Sequence, residues 1–238
     1  MWNKYAPMME SQNYNDKVLL INKPPNWTSF DVIKKLRNTL QVRKIGHAGT
    51  LDPLATGLLI VCTGCKTKTI TQYQEMNKVY TGQFVIGKTT PSIDLETPFD
   101  TATDYSHITP DQVTSLAQTF LGVISQVPPQ YSAVKVNGTR AYTKARKGEQ
   151  VPVEPRKVTI EAFTVTGINL PEVNFEITCS KGTYIRSLVR DIGDNLGVGA
   201  YLSQLCRTQI GPYTLKQAWS PPSSLSGAAG DHSLINLL

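Results

Sequence analysis

The chain has 238 residues, 40% of them hydrophobic and 18% charged, the make-up of an ordinary globular protein with ample material for a core. No apolar run approaches the ~18 residues of a membrane span, and the first residues lack the apolar stretch of a secretory signal, so a cytosolic protein is expected. Lys and Arg outnumber Asp and Glu by 24 to 18, a net charge of +6, which suits a polyanionic partner without demonstrating one.

Residues 1–16 are polar and aperiodic and read as a loose arm. Lys17 to Asn22 forms a short strand, closed by Lys23-Pro24-Pro25. Thr28 and Asp31 have capping-box spacing and start a helix, with Val32, Ile33, Leu36 and Leu40 as its apolar stripe. Its other face carries Lys34, Lys35 and Arg37, a set that usually marks a solvated surface. From Gly46 to Gly57 three glycines and Pro53 argue against regular structure, and Leu58 to Cys62 then reads as a buried strand. His47 and Asp52 thus sit on a loop at the mouth of a core strand, where rigid scaffolds commonly present reactive groups. On local pattern alone Asp52 is a turn aspartate bonding its own backbone. Arg43, Lys44, Lys66 and Lys68 gather positive charge around this stretch, which favours a phosphate-rich substrate. Cys62 and Cys65 have redox or half-zinc-site spacing, but Cys179 and Cys206 complete no pattern, so four buried thiols and no metal are expected.

Lys78 to Ile86 is a strand with Tyr80, Phe84 and Ile86 on one face. Gly87 to Ser106 reads as loop. Thr109-Pro110 starts a helix that buries Val113, Leu116, Ala117 and Phe120 and ends at Gly122. In the segment 126–155, Arg140 to Lys147 reads as a short basic helix stopped by Gly148, with Tyr142 among Arg140, Lys144, Arg146 and Lys147. Aromatic stacking beside phosphate contacts is a familiar way to hold RNA; a plainly solvated helix is the alternative. Strands follow at Lys157–Val165 and Val173–Cys179, the second alternating cleanly. Ser180 to Thr183 then turns into a helix carrying Ile185, Leu188, Val189, Ile192 and Leu196. Tyr184 and Arg186 lie in its first turn, where the helix dipole disfavours a cation unless an anion faces it. From Ser220 onward the chain is linker-like. The irregular alternation of strands and helices points to an α+β fold.

The stretch Gly46-His47-Ala48-Gly49-Thr50-Leu51-Asp52-Pro53-Leu54-Ala55-Thr56-Gly57 resembles the catalytic loop of the TruB-type tRNA pseudouridine-55 synthases. Lys23 to Ser29, Asn77 to Tyr80, Pro128 to Ala133, Cys179 to Arg186 and Gly197 to Arg207 resemble further blocks of that family in the same order, over residues 17–219. The 87–106 loop departs from it: Thr90-Pro91-Ser92 stands where the family reads Thr-Asp-Thr, and only Asp94 is kept. The resemblance implies a pseudouridine-synthase fold, a long, mixed, mainly antiparallel sheet with flanking helices and an inserted thumb at about 126–155. It implies that Asp52 is the nucleophile or base, that Arg186 pairs with it, and that Tyr80 stacks on the uracil and moves the C5 proton. His47 would fill the stack vacated by the flipped base. Lys23, Tyr184 and Leu205 would lie at the substrate, and Arg140, Lys144, Arg146 and Lys147 would grip the RNA backbone. The expected partner is the TΨC stem-loop of tRNA, with no membrane and no obligate protein partner, for a monomer whose tail at 220–238 leaves no room for the PUA domain of longer relatives. The isomerisation gains no atoms or electrons, so no metal or cofactor is expected. Alternatives are a synthase acting on another structured RNA, or an RNA-folding module on the same scaffold.

Overall fold

The structure is a computed structural model, and it describes residues 14–136 and 138–220, without the side chains of Lys135 and Arg140. The arm expected at 1–16 and the tail at 220–238 therefore lie almost wholly outside the described residues. The elements run β1 (Val18–Lys23), α1 (Ser29–Leu40), β2 (Ile45–His47), β3 (Thr56–Thr63), α2 (Ile70–Glu75), β4 (Lys78–Ile86), β5 (Lys88–Thr89) and β6 (Thr101–Ala102). They continue with α3 (Pro110–Thr119), β7 (Gly122–Gln126), β8 (Lys135–Val136), β9 (Thr139–Arg140), α4 (Ala141–Ala145), β10 (Arg156–Asn169), β11 (Glu172–Cys179), α5 (Ile185–Leu196), β12 (Ala200–Ile210) and β13 (Tyr213–Thr214). Two compact units result, one from the residues up to Lys78 with those from Cys206 onward, the other from Val79 to Leu205.

In the first unit β3 lies between β1, antiparallel with Leu20 opposite Ile60, and the last part of β12, parallel with Arg207 opposite Gly57. Leu59 and Val61 point to one side and join Leu19 and Ile21 beneath Val32, Ile33 and Leu36 of α1. Leu58, Ile60 and Cys62 point to the other, where Ile70, Tyr73 and Met76 cover them. A strand buried on both faces has to be continuously apolar, which is why this run was legible. Each such side chain stabilises the fold by about 1.5–3 kcal/mol. The capping box of α1 forms as expected: Thr28 Oγ1 accepts from Asp31 N at 3.0 Å, and Asp31 Oδ2 accepts from Thr28 N at 2.9 Å.

In the second unit the first part of β12 is followed across the sheet by β4, β11, β10 and β7. β11 buries Val173, Phe175, Ile177 and Cys179 in alternation, and Phe175 meets Phe84 and Phe163 at 6.0 and 6.2 Å between ring centroids. α5 buries Ile185, Leu188, Val189 and Ile192, and α3 buries Val113 and Ala117. With β3–β12 parallel and β1–β3, β2–β3, β7–β10, β10–β11 and β12–β13 antiparallel, the pairing is mixed but mainly antiparallel, and the fold is α+β.

Several local expectations are corrected. Gly46 and His47 belong to β2, because they pair with Cys62 and Val61. Gly122 does not end a helix; it opens β7, and α3 stops at Thr119. The basic helix shortens to Ala141–Ala145, since Arg140 is drawn into a two-residue ladder with Lys135. Cys62 and Cys179 are buried, but Cys65 is exposed on the turn after β3 and Cys206 is half-buried. Among the described residues no helix is long and apolar enough to cross a membrane.

Candidate active site

The 46–57 stretch of the first unit is held by three long or polar side chains from elsewhere in that unit. Ser29 Oγ, at the start of α1, accepts from Leu51 N at 2.9 Å and donates to Leu51 O at 3.3 Å. Lys23 Nζ donates to Trp27 O at 2.6 Å, Pro24 O at 2.9 Å and Pro53 O at 3.1 Å. Arg207 donates through Nε to Leu58 O at 2.8 Å and through Nη2 to Gly49 O at 3.1 Å, with Nη1 3.5 Å from Thr50 O. Asp52 is the half-buried residue between Leu51 and Pro53, so both of its chain neighbours are tethered. Its own carbonyl accepts from Ala55 N at 3.1 Å, closing the turn. Gly57 makes this packing feasible: its φ is +105°, and a Cβ there would lie 2.6 Å from Arg207 N.

Lys23 was expected to meet the substrate, yet it is 0% exposed and its ammonium is turned onto backbone carbonyls. Burial pulls its pKa from 10.5 to about 8; Arg207 pushes the same way, while Asp52 and Asp31 pull it back up. His47 is half-buried, and burial, then Arg207, hold its imidazole below the ordinary range against a raising backbone bond at Gly49. Its Nδ1 is buried with no hydrogen-bond partner among the described residues. In the sequence Arg207 stands out only as the end of the block from Gly197. Nothing local marked it: polar Ser203, Gln204, Thr208 and Gln209 share its run, and only the fold shows a buried arginine with the assigned acceptors that burial requires.

In the second unit Arg186 is 3% exposed. Its Nη1 donates to Ser92 O at 2.9 Å and its Nη2 to Tyr131 O at 2.8 Å, and its Nε lies 3.6 Å from Asp94 Oδ2. Asp94 is itself buried; Oδ1 accepts from Glu96 N at 2.9 Å, and its carbonyl accepts from Thr90 Oγ1 at 2.6 Å. The segment expected to be loop is thus partly a buried polar cradle around an arginine. The anion that the helix dipole called for at Arg186 is present in Asp94, a residue to which sequence reasoning gave no such part. Tyr80 is 9% exposed on β4, and Leu205 is half-buried on β12. Tyr184 is the N-cap of α5; Gln126, at the end of β7, accepts from its N–H at 2.8 Å and donates to its carbonyl at 3.1 Å. The Arg156 guanidinium lies 4.5 Å from the Tyr184 ring centroid.

In the 126–155 segment Gln130 bonds both backbone groups of Val151 and closes the base of the insertion. Arg146 is not an unengaged cation: Nη2 meets Glu96 Oε1 at 2.7 Å, and the guanidinium lies 5.4 Å from the Tyr142 ring. Lys144 is half-buried and Lys147 exposed; the Arg140 side chain lies outside the described residues. Among the described residues no group of three or more His, Cys, Asp or Glu is placed to hold a metal ion.

Residues 37–185 match the family model for the TruB family pseudouridylate synthase N-terminal domain, and 186–221 match that for the tRNA pseudouridylate synthase B C-terminal domain. A protein of Flavobacterium johnsoniae named tRNA pseudouridine synthase B is 48% identical over 218 residues, which is 89% of this chain and 95% of the relative. One of the same name from Bacteroides fragilis is 47% identical over 211 residues, 86% of this chain and 91% of its own. Among solved structures, a chain of a Cbf5-Nop10-Gar1 complex is similar over 90% of this chain with a TM-score of 0.69 and 28% identity. This chain spans about half of that one, 54% of its length.

Proposed function

The chain belongs to the TruB family of pseudouridylate synthases, and on that premise we propose how its own residues carry out the reaction. It converts uridine to pseudouridine in tRNA. The target is the uridine at position 55 of the TΨC loop, extruded from its stack before reacting. The reaction breaks the bond from C1′ to N1, turns the base, and joins C1′ to C5; a proton leaves C5 and one is taken up at N1. Asp52 acts as nucleophile or base. The observation that carries this assignment is its position between two residues tethered by Ser29 and Lys23, which supports a carboxylate aimed before substrate arrives.

Arg186 orients the Asp52 carboxylate, a planar cation suited to a desolvated pair. Tyr80 stacks on the uracil and relays the C5 proton. His47, whose buried Nδ1 lacks a partner among the described residues, fills the place the base leaves. Tyr184 and Leu205 border the base. Lys23 works from behind the loop, as a positioning residue. Arg140, Lys144, Arg146 and Lys147 take backbone phosphates. Residues 17–219 form the catalytic domain, and the enzyme works in the cytosol as a monomer.

The test is Asp52→Asn. It keeps the fold and tRNA affinity but abolishes tritium release from C5-labelled uridine in tRNA. Turnover within about tenfold of wild type would overturn the assignment, because an essential nucleophile or base is worth far more than that.

A further inference from the structure

We propose that the exposed side of α1, with the cleft beside it, is an RNA-backbone site that takes the substrate strand flanking the target uridine. The helix buries Val32, Ile33 and Leu36 and leaves two adjacent stripes outside. Phe30, Lys34 and Arg37 follow one stripe; Asp31, Lys35 and Asn38 follow the other. An open cleft of about 410 Å³ runs along the second, lined by Asn26, Trp27, Asp31, Lys34, Lys35 and Asn38.

The chemistry of this surface matches a polyanion with aromatic faces. Lys34, Lys35 and Arg37 form no ion pair among the described residues. The one carboxylate in the cleft is already engaged: Asp31 accepts from Thr28 N at 2.9 Å and from Thr28 Oγ1 at 2.6 Å at the positive end of the helix. Phe30 is 62% exposed. An aromatic ring shown to water beside three cations gives a base or ribose a face to stack on while the phosphates meet the ammonium groups.

Position adds the second argument. The start of α1 holds the 46–57 stretch on either side of Asp52, through Ser29 to Leu51 and through the lysine shared by Trp27 and Pro53. A strand lying along α1 therefore runs toward the reacting nucleotide. The proposal rests on the reading of tRNA as substrate and of the Asp52 loop as the place of chemistry.

The experiment titrates an unmodified tRNA transcript into the full chain across a salt series. It compares wild type, the combined Lys34→Ala, Lys35→Ala and Arg37→Ala variant, and Phe30→Ala; Phe30, Lys34 and Arg37 are exposed and Lys35 is half-buried, and thermal melts check the fold. Losing three phosphate contacts shallows the log–log salt slope by about two, at ~0.7 per contact. Phe30→Ala weakens affinity by about tenfold with the slope unchanged, because stacking releases no counterions. Single-turnover rates at saturating tRNA stay at the wild-type value in both. Slopes and affinities equal to wild type overturn the proposal. So does a shallower slope with no effect of Phe30→Ala, which would mean diffuse attraction and no seated strand. If wild type forms no pseudouridine in tRNA, or Asp52→Asn retains turnover, it is the underlying reading that fails; normal turnover with unaltered α1 variants defeats this proposal alone.

Discussion

Replacing Arg207 by Met tests how the 46–57 stretch is held. Arg207 is 2% exposed, and two of its donors reach a buried carbonyl at 2.8 Å (Leu58) and a part-buried one at 3.1 Å (Gly49). The third approach, 3.5 Å to Thr50, is too long to add much. Methionine keeps most of the length but has no donor, so two acceptors are abandoned, at about 1–3 kcal/mol each. Relief of the guanidinium's own desolvation offsets part of this and puts the net loss at roughly 3 kcal/mol. For a chain of this size that lowers Tm by about 6–12 °C, within what a stability of ~5–15 kcal/mol tolerates. The chemical consequence is larger, because Gly49 and Leu58 are the ends of the segment that carries Asp52. A displacement of about 1 Å there costs on the order of 100-fold in single-turnover rate, while tRNA affinity holds. Arg207 also presses the pKa of His47 and of Lys23 downward, so its removal raises both. The His47 imidazole titration, followed by NMR, reads this directly. A Tm within about 2 °C of wild type together with a rate within about threefold would refute the reasoning.

Arg186→Lys keeps the charge but cannot reach Ser92 O, Tyr131 O and Asp94 together; single-turnover rate falls by at least about 100-fold with tRNA affinity nearly unchanged, and a rate near wild type would remove Arg186 from the mechanism. Lys23 has a folded pKa near 8 and an unperturbed one of 10.5, so between those values the unfolded chain binds more protons and stability rises with pH. Measured by urea unfolding, wild type should gain on Lys23→Met by up to about 1.4 kcal/mol per pH unit across that window and run parallel to it below; a constant difference throughout would sink the idea. Glu96→Gln releases Arg146 from a surface pair worth at most about 1 kcal/mol, so tRNA affinity at low salt tightens by up to about fivefold with Tm unchanged, and an unaltered affinity would show that Arg146 meets no phosphate.

The sequence by itself determined what short-range chemistry encodes. The capping box and apolar stripe of α1, the continuous apolar run of β3 and the strict alternation of β11 each state their element within about a dozen residues, because period and cap are local quantities. The run from Gly46 to Gly57 likewise declared its family by residue identity alone. What holds that run was settled only in three dimensions. Arg207 reaches carbonyls 149 and 158 residues away in the chain, and Arg186 reaches Ser92 across 94. Carbonyls belong to every residue and carry no side-chain signature, so no pattern of residue types can announce that Gly49, Leu58 or Ser92 will be an acceptor. The same limit hid β7 and β12: their segments lack a clean period, and they become strands because paired neighbours satisfy their backbone groups. Charge was equally ambiguous along the chain. Arg146 and Lys147 read alike in sequence and are both exposed, and only the approach of Glu96 distinguishes the engaged cation from its neighbour.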